Sequence, residues 1–302
     1  DFALKYNLCP NLETNIPVTP PVAAPLPHGG RYCRCGIPSV MGRRRIVGGF
    51  DMRLGETPWH VGLTRDPSKP FFCGGSLINE QWVLTAAHCF YNYGTRPCSK
   101  QLHKHLYVGL GEYDQFSTED NSDLTHMSSV RQQVPHPYFD CMTMDKDFAL
   151  VQLNKAIYVG ATGYVPICLP ADDSQSYAHE YAMITGWGLK AEKGQISDTL
   201  QKADVMIWDQ YCVISSGHMK TANMMCAKGE SKVVNGQTIE VDTCQGDSGG
   251  SLAIQEQGQF TQVGVTSFGH GCARMGRPGV YARVSKALNW IHNVAGYYCV
   301  RQ

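Results

Sequence analysis

The chain has 302 residues and a mass of 33.4 kDa, long enough to bury one large hydrophobic core or two smaller ones. Its composition, 43% hydrophobic and 17% charged, is that of an ordinary globular protein. A formal net charge of +0 and a pI of about 7.2 exclude strong attraction to nucleic acid or to an anionic membrane. No apolar run is long enough to span a bilayer, so we expect neither nucleic acid nor membrane as a partner.

The chain contains 13 cysteines spread over its whole length. Such a number favours disulfides and therefore an oxidising compartment. Zinc is the competing explanation, but the one tight pair, Cys33 and Cys35, has no second pair at zinc-finger spacing. The chain begins at Asp1 without an initiator methionine, so we expect that a targeting segment has been removed. The expected location is extracellular, after secretion.

Residues 1–45 resemble a linker more than a domain. Six prolines between positions 10 and 27 favour an extended backbone that cannot pack a core. The basic run Arg43–Arg45 is followed directly by Ile46–Gly49, which is apolar and flexible. We therefore expect an exposed peptide bond after Arg45 that a protease cutting after arginine could cleave.

From Ile46 onward, short β runs are separated by turn residues. The predicted strands are Trp82–Thr85, Leu106–Leu110, Ala149–Leu153, Ala182–Thr185, Ser251–Ile254, Thr261–Ser267 and Gly279–Val284. One helix is predicted over 285–295, with Ser285 as its N-cap and Gly296 after its end. The fold class is therefore all-β with a C-terminal helix, because strands and helices do not alternate.

The stretch Asp242–Gly250 carries the strongest chemical signal. Gly246 and Gly249 flank Ser248, and glycine allows the positive φ and close approach of a tight turn. A serine in such a turn is typical of a nucleophile, with neighbouring N–H groups available to an oxyanion. The alternative is an ordinary Gly/Ser-rich turn.

Two further residues could complete a catalytic group. His88 follows a predicted strand beside Cys89, and histidine is suited to accept a serine proton near neutral pH. Asp147 opens an apolar strand, where a carboxylate needs hydrogen bonds. Strand–turn–helix serine hydrolases have the order Ser, acid, His, whereas only one acidic residue, Glu256, follows Ser248 here.

Four motifs in register, IVGG at 46–49, TAAHC at 85–89, DFAL at 147–150 and DTCQGDSGG at 242–250, give the chain a family resemblance. From Ile46 to about Val294 it resembles the trypsin-like, chymotrypsin-fold serine protease zymogens, and in particular arthropod-type cascade proteases. The resemblance implies a protease domain over 46–302. It consists of two packed six-stranded antiparallel Greek-key barrels, at about 46–165 and 166–284, with a C-terminal helix.

The resemblance also implies a catalytic mechanism. Ser248 attacks the scissile carbonyl, His88 acts as general base and then acid, and Asp147 fixes the tautomer of His88. The N–H groups of Gly246 and Ser248 form the oxyanion hole. After cleavage between Arg45 and Ile46, the new amine of Ile46 pairs with Asp247, which orders this hole and the substrate pocket.

By the same resemblance, Asp242 lies at the floor of the primary pocket and implies cleavage after Arg or Lys. The alternative for Asp242 is an ordinary loop carboxylate. Further substrate-binding positions are implied in the pocket walls, in the segment that pairs with the substrate backbone, and beside them: Thr243, Gln245, Ser267, Phe268, Gly269, Gly279 and Met144. The family usually has Trp where Phe268 stands, so the apolar wall of the cleft is expected to differ.

The implied disulfides are Cys73–Cys89, Cys212–Cys226, Cys244–Cys272 and Cys35–Cys168, with Cys98–Cys141 as an additional pair that could join loops on either side of the cleft. Cys9, Cys33 and Cys299 remain, and three cysteines cannot all pair within one chain. One of them could therefore bond to another chain.

No cofactor is expected to be required. An acidic loop falls where some relatives hold calcium, and its candidate ligands are Glu112, Asp114, Glu119 and Asp120. A solvated acidic loop without an ion is the alternative. Pro278 stands where sodium-binding relatives tend to carry an aromatic residue, so sodium regulation is not expected.

The expected function is that of a secreted endopeptidase zymogen in a limited-proteolysis cascade. Its expected partners are protein substrates with exposed Arg or Lys, an activating trypsin-like protease and protein inhibitors. A digestive-type trypsin is one alternative. A catalytically silent homologue acting as a binding cofactor is the other, although such proteins usually lose the serine or the histidine.

Overall fold

The computed structural model describes residues 30–40, 50–93, 97–117, 126–160, 164–189, 194–208, 220–234, 237–240, 246–269 and 278–301. In chain order its strands are β1 Gly30–Tyr32, β2 Phe50–Asp51, β3 His60–Thr64, β4 Cys73–Leu77, β5 Trp82–Thr85, β6 Tyr91–Asn92, β7 Ser99–Lys100, β8 Tyr107–Leu110, β9 His126–Pro135, β10 Ala149–Leu153, β11 Tyr181–Gly186, β12 Gln201–Ile207, β13 Met224–Lys228, β14 Ser231–Val234, β15 Gln237–Glu240, β16 Ser251–Glu256, β17 Gln259–Phe268, β18 Gly279–Arg283 and β19 Tyr298–Val300. Within these ranges, an α-helix, α1, spans Leu288–Ala295, and 3₁₀ turns span Ala87–Phe90 and Val284–Lys286.

Six antiparallel strands close the first barrel in the order β10–β5–β4–β3–β8–β9. Closure leaves no unpaired edge strand in this sheet. Val61, Leu63, Leu84 and Leu150 are fully buried in its core. Burial of such branched aliphatic side chains in short strands is the main stabilising contribution to a barrel of this kind.

The second barrel has the order β11–β16–β17–β18–β13–β12, and the pairing of β11 with β12 closes it. The short strand β2 pairs with the first two residues of β12, Gln201 and Lys202. Fully buried side chains of Val205, Met225, Leu252 and Tyr281 fill its interior. The predicted all-β fold with two six-stranded antiparallel barrels and a C-terminal helix is therefore confirmed.

The seven predicted strands are all present, and Trp82–Thr85 and Ala149–Leu153 have the predicted bounds. The predicted start of the C-terminal helix is wrong. Residues Val284–Lys286 form a 3₁₀ turn, and α1 begins only at Leu288. Ser285 does not cap the helix, because its Oγ donates to Asp173 Oδ1 at 2.6 Å.

The interpretation of residues 1–45 as a linker does not describe residues 30–40, which pack against the second barrel. Strand β1 pairs in parallel with β19. Gly36 donates its N–H to Pro166 O at 2.8 Å and accepts one from Phe260 N at 2.7 Å. Gly36 has a φ of +64°, and a Cβ there would lie 2.1 Å from Phe260 O, so glycine is required for this contact.

The described residues contain the disulfides Cys35–Cys168, Cys73–Cys89 and Cys98–Cys141, which are pairs that the resemblance implies, and also Cys33–Cys299. The expectation that Cys33 or Cys299 could bond to another chain is therefore wrong, because they bond to each other. Cys226 is disulfide-bonded too. Its expected partner Cys212, the expected pair Cys244–Cys272 and Cys9 lie outside the described residues.

Within the described ranges, no helix has both the length and the apolar character needed to cross a bilayer.

Candidate active site

Pairing of two strands brings His88 and Asp147 together. His88 lies in the 3₁₀ turn that follows β5, and Asp147 precedes β10. Because β5 and β10 are antiparallel neighbours, with Ala149 opposite Thr85, the end of one strand meets the start of the other. His88 Nδ1 lies 2.7 Å from Asp147 Oδ2, and the backbone N–H of His88 donates to Asp147 Oδ1 at 2.8 Å. A carboxylate only accepts hydrogen bonds, so Nδ1 carries the proton and Nε2 is left as the basic nitrogen.

The second barrel supplies another hydrogen bond to this carboxylate. Ser267, near the end of β17, donates its Oγ–H to Asp147 Oδ2. Asp147 is fully buried, and the side chain of His88 is 15% exposed. The desolvation cost of burying the carboxylate is offset by its hydrogen bonds. The side chain of Ser267 is therefore bound to Asp147, while pairing of the Ser267 backbone with substrate stays a prediction.

Burial and charge act in opposite directions on His88. Burial, the largest single influence, lowers its pKa, while the charge of Asp147 and the hydrogen bond to it raise it. The two contributions from Asp147 together outweigh burial, so the pKa of His88 is raised above its ordinary value of 6.5. Asp147 therefore stabilises the protonated imidazole.

The turn that carries Ser248 is held against the same strands. The carbonyl oxygen of Ser248 accepts the N–H of Gly74 on β4 at 2.7 Å. Gly249 has a φ of +85°, and a Cβ there would lie 2.2 Å from Thr85 Oγ1 on β5. Ser248 thus lies where the two barrels meet, close to the strand that leads into His88.

The residue two positions before Ser248 has a backbone conformation that favours glycine. Gly246 has a φ of +102°, and a Cβ there would lie 2.9 Å from Gly188 Cα. Asp247 Oδ1 accepts the N–H of Gly188 at 2.8 Å. Within the described part of the chain, the N–H groups of Gly246 and Ser248 donate to no other residue. Their role as oxyanion-hole donors stays a prediction.

Glycines also surround the Asp247 carboxylate. A Cβ at Gly186 would lie 2.0 Å from Asp247 Oδ1, and a Cβ at Gly188 would lie 2.6 Å from it. Any larger residue at position 186 or 188 would therefore clash with the Asp247 side chain. Arg45 and Ile46, the predicted activation residues, lie outside the described residues.

The predicted pocket residues are described in part. Asp242, Thr243 and Gln245 lie outside the described residues. Phe268 pairs with Val280 at the ends of β17 and β18. Gly269 and Gly279 adjoin these paired residues in sequence, so the structure brings the two predicted wall positions to neighbouring strand ends.

Sequence reasoning missed Tyr93, whose side chain contacts that of the predicted residue Met144. The Tyr93 hydroxyl donates to Met144 Sδ at 3.6 Å. Burial, followed by the nearby charge of Asp147, raises the pKa of Tyr93. The disulfide Cys98–Cys141 joins the segment after His88 to the segment before Asp147. No motif marks Tyr93, and its only signal is its closeness to His88 in the chain.

The calcium prediction is described only in part. Asp114 Oδ1 accepts the N–H groups of Phe116 at 3.0 Å and Ser117 at 3.2 Å, so this oxygen caps its own turn. Glu112 is described, whereas Glu119 and Asp120 lie outside the described residues. The calcium site stays a prediction.

Among the described residues, the grouping of side chains close enough to share a metal is Cys73, His88 and Cys89. The two cysteines form a disulfide with each other, so neither can supply a thiolate. This group therefore does not fit a metal centre.

A sequence model of the Trypsin family matches residues 46–291. Transmembrane protease serine 7 of Mus musculus is 37% identical over 255 residues, which are 82% of this chain and 28% of that protein. Suppressor of tumorigenicity 14 protein homolog of Bos taurus is 36% identical over 259 residues, which are 85% and 29%. Transmembrane protease serine 7 of Rattus norvegicus is 36% identical over 255 residues, which are 82% and 28%. The chain thus spans less than a third of the length of these curated relatives, and it belongs to the trypsin family of serine proteases.

Proposed function

We propose that the chain is a serine endopeptidase that cleaves peptide bonds through an acyl-enzyme. The supporting observation is the buried Asp147 bound to His88 Nδ1, with the Ser248 turn held at the same meeting point of the barrels. Ser248 Oγ attacks the scissile carbonyl carbon while His88 Nε2 takes its proton. The carbonyl oxygen becomes an oxyanion that accepts the N–H groups of Gly246 and Ser248.

The remaining steps return the enzyme to its starting state. The tetrahedral intermediate collapses, the C–N bond breaks, and His88 gives its proton to the leaving amine. Water then attacks the ester while His88 takes one of its protons. The second collapse breaks the ester bond, and the proton returns to Ser248 as the acid product leaves. A single oxyanion-hole donor contributes about 10²–10³ to such a rate.

We further propose specificity for Arg or Lys before the cleaved bond. Asp242, six residues before Ser248, supplies the counter-charge. Gly269 and Gly279, next to the paired residues Phe268 and Val280, carry no side chain that would occupy the proposed pocket. A buried charge that is left unpaired costs about 2–5 kcal/mol, so a counter-charge from Asp242 would disfavour neutral side chains in the pocket.

Synthesis as a zymogen is part of the proposal. Cleavage between Arg45 and Ile46 would create an amine that pairs with Asp247 beside Gly186 and Gly188. Residues 30–40 are bonded to the protease domain by two disulfides, which supports retention of the cleaved segment. A retained segment favours a cascade enzyme over a digestive trypsin, whose short propeptide is usually shed. A silent homologue is disfavoured because Ser248, His88 and Asp147 are all present.

The number of disulfides supports an extracellular, secreted location. The proposed partners are protein substrates, an activating protease that cuts after Arg45, and protein inhibitors. The relatives compared above are mammalian, so the resemblance to arthropod-type cascade proteases stays a prediction.

Cleavage of the purified chain after Arg45, verified by N-terminal sequencing from Ile46, allows a direct test. A library of peptides should then be cut after Arg and Lys, with little cleavage after neutral residues. Asp242→Ser should remove that preference while the protein remains folded. A correctly cleaved wild-type enzyme that cuts no peptide would contradict the proposed activity, and one that cuts after neutral residues equally well would contradict the specificity.

A further inference from the structure

The segment before Asp147 has an unusual backbone. Met144 and Lys146 adopt positive φ values of 60° and 54°. Side chains other than glycine rarely occupy this region, and they do so where the surroundings hold them in place. Both residues flank Asp145, and one of them adjoins Asp147. Contacts around this segment must therefore hold its backbone in place close to the candidate catalytic group.

The side chain of Asp145 supplies such contacts. Its Oδ1 accepts the hydroxyl of Thr221, and Asn223 Nδ2 lies 3.0 Å from both Oδ1 and Oδ2. Thr221 and Asn223 precede β13, so they belong to the second barrel, while Asp145 belongs to the first. Three side-chain hydrogen bonds thus connect the barrels through one carboxylate.

The second-barrel end of this connection is itself fixed. The carbonyl oxygen of Asn223 accepts the N–H of Arg283, at the end of β18, at 2.8 Å. The N–H of Asn223 lies 3.2 Å from Thr221 Oγ1, so the two partners of Asp145 also bind each other. The anchor for Asp145 is therefore part of the barrel wall and not a free loop.

On the side of the first barrel, a short turn links the position of Asp145 to that of Asp147. A single residue separates them, and the carbonyl of that residue, Lys146, accepts the N–H of Phe148 at 2.8 Å. Because the turn is short and closed by this hydrogen bond, a displacement of Asp145 moves Asp147. Asp147 has little tolerance for movement, since its oxygens lie 2.7 and 2.8 Å from two nitrogens of His88.

We propose that Asp145 is a positioning residue that pins the strained turn of Met144 and Lys146 to the second barrel and so sets the orientation of Asp147 toward His88. This role rests on the proposed serine protease activity, because its purpose is to align the candidate catalytic pair. Asp145 does not contact the reacting atoms and acts only through Asp147.

Removal of the hydrogen bonds from Asp145 to the second barrel should have a defined kinetic effect. Misplacement of a catalytic group by about 1 Å can cost on the order of 10² in rate. We expect Asp145→Ala to lower kcat/KM by about 10- to 100-fold through kcat, with KM changed less than about threefold. Because a misaligned Asp147 stabilises imidazolium less, the acid limb of the pH–rate profile should move to lower pH.

Four further variants of the activated enzyme, compared with Asp145→Ala, test the link between the barrels. Asn223→Ala leaves the hydrogen bond from Thr221 to Asp145, so it should change kcat/KM in the same direction as Asp145→Ala and by less. The double variant should be no worse than Asp145→Ala, because both changes act on the same link. Exchanging the pair, Asp145→Asn with Asn223→Asp, should restore activity, since a carboxylate and an amide again face each other. Asp66→Asn is the charge-matched control, because the Asp66 carboxylate accepts its hydrogen bonds from Ser68, in the turn between β3 and β4 and away from the Asp145 turn.

A readout without turnover separates this inference from the proposed activity. The ¹H NMR signal of the His88 Nδ1 proton should shift upfield in Asp145→Ala and Asn223→Ala, and should be unchanged in Asp66→Asn. An inactive wild-type enzyme would contradict the proposed activity, while this NMR comparison would still test the inference. The positioning role is overturned if the Asp145 and Asn223 variants keep kcat/KM within twofold, or if they lose activity only in proportion to lost folded protein with the acid limb and the NMR signal unchanged. Should Asp145→Ala fail to fold, Asn223→Ala and the exchanged pair give the decision by the same criteria.

Discussion

Cys33 and Cys299 form a disulfide between residues 266 positions apart, and it lies beside a second bridge from Cys35 to Cys168. Both bridges leave the same short segment, with only Arg34 between the two cysteines. In the uncleaved chain each bridge closes its own loop. After cleavage following Arg45, one bridge alone merely attaches the 45-residue fragment. Both bridges together close a ring that runs from Cys168 to Cys299 and returns through the fragment.

The first prediction concerns retention of the fragment. After cleavage, the fragment should stay attached on denaturing, non-reducing gels in the wild type and also when either pair, Cys33 with Cys299 or Cys35 with Cys168, is changed to serine. Changing both pairs should release it. Release from a variant that keeps one intact pair would show that the remaining bridge does not form.

The second prediction concerns the stability of the cleaved protein. Either pair change should open the ring and lower the free energy of unfolding by about 3–5 kcal/mol, the value expected for a loop of more than 100 residues. Changing both pairs also removes the covalent attachment of the fragment, so the stability of that cleaved protein should depend on its concentration. Urea unfolding of the wild type and of the two single-pair variants, in both forms, measures the contribution of the ring. A loss below about 1 kcal/mol from a single pair change in the cleaved form would contradict the ring.

The third prediction concerns the pH dependence of activity. Asp147 raises the pKa of His88 despite burial, so the acid limb of kcat/KM should have its midpoint above 6.5. The stabilisation from this pair is complete below the unfolded pKa and is lost as pH rises through the folded one. Asp147→Asn should reduce kcat by about 10⁴. A pH–rate profile of the wild type with a midpoint well below 6.5 would contradict the assigned pairing.

The fourth prediction concerns His60, which lies at the start of β3 with 2% exposure. Its Nδ1 lies 2.9 Å from Thr185 Oγ1, and burial lowers the pKa of His60 to about 3. The unfolded chain binds this proton at higher pH than the folded chain, so stability should fall as pH falls below 6.5. Between the ordinary pKa and about pH 5, the loss is on the order of 2 kcal/mol.

Replacing His60 with glutamine gives the matched comparison, since an amide can keep the hydrogen bond to Thr185. Urea unfolding at neutral and mildly acidic pH should show a smaller acid-side loss for His60→Gln than for the parent, with Ser248→Ala in both proteins to prevent self-cleavage. His136, whose pKa burial lowers to about 4, contributes equally to both proteins. Equal acid-side losses in the two proteins would show that His60 is not the group responsible.

The sequence predicts those parts of the fold in which the signal is local. Ala149–Leu153 lies in a short, mostly apolar run between the polar residues Asp147 and Asn154, so its length and composition indicate a strand. The order of His88, Asp147 and Ser248 likewise identifies the candidate catalytic group without coordinates. The start of the helix was mispredicted because Ser285 has the composition of an N-cap but donates to Asp173, a residue 112 positions away.

The features that the sequence could not predict all depend on distant partners. The parallel pairing of Gly30–Tyr32 with the C-terminal strand has no local pattern, since three residues are too few for a period. The Asp145 link to Asn223 joins residues 78 positions apart in different barrels, and neither belongs to a recognisable motif. Tyr93 is similar, because its contact with Met144 is made by the closing of the first barrel. Tertiary packing alone specifies these contacts.

The central claim, that Ser248 forms the acyl-enzyme, can be tested directly by trapping that intermediate. The chain cleaved after Arg45 is mixed with an arginyl ester of a good leaving group, quenched in acid and digested. Mass spectrometry should then find the acyl group on the peptide that contains Ser248, together with a pre-steady-state burst of about one leaving group per enzyme molecule. Neither should occur with Ser248→Ala. An acyl group on any other residue, or an equal burst from Ser248→Ala, would contradict the account.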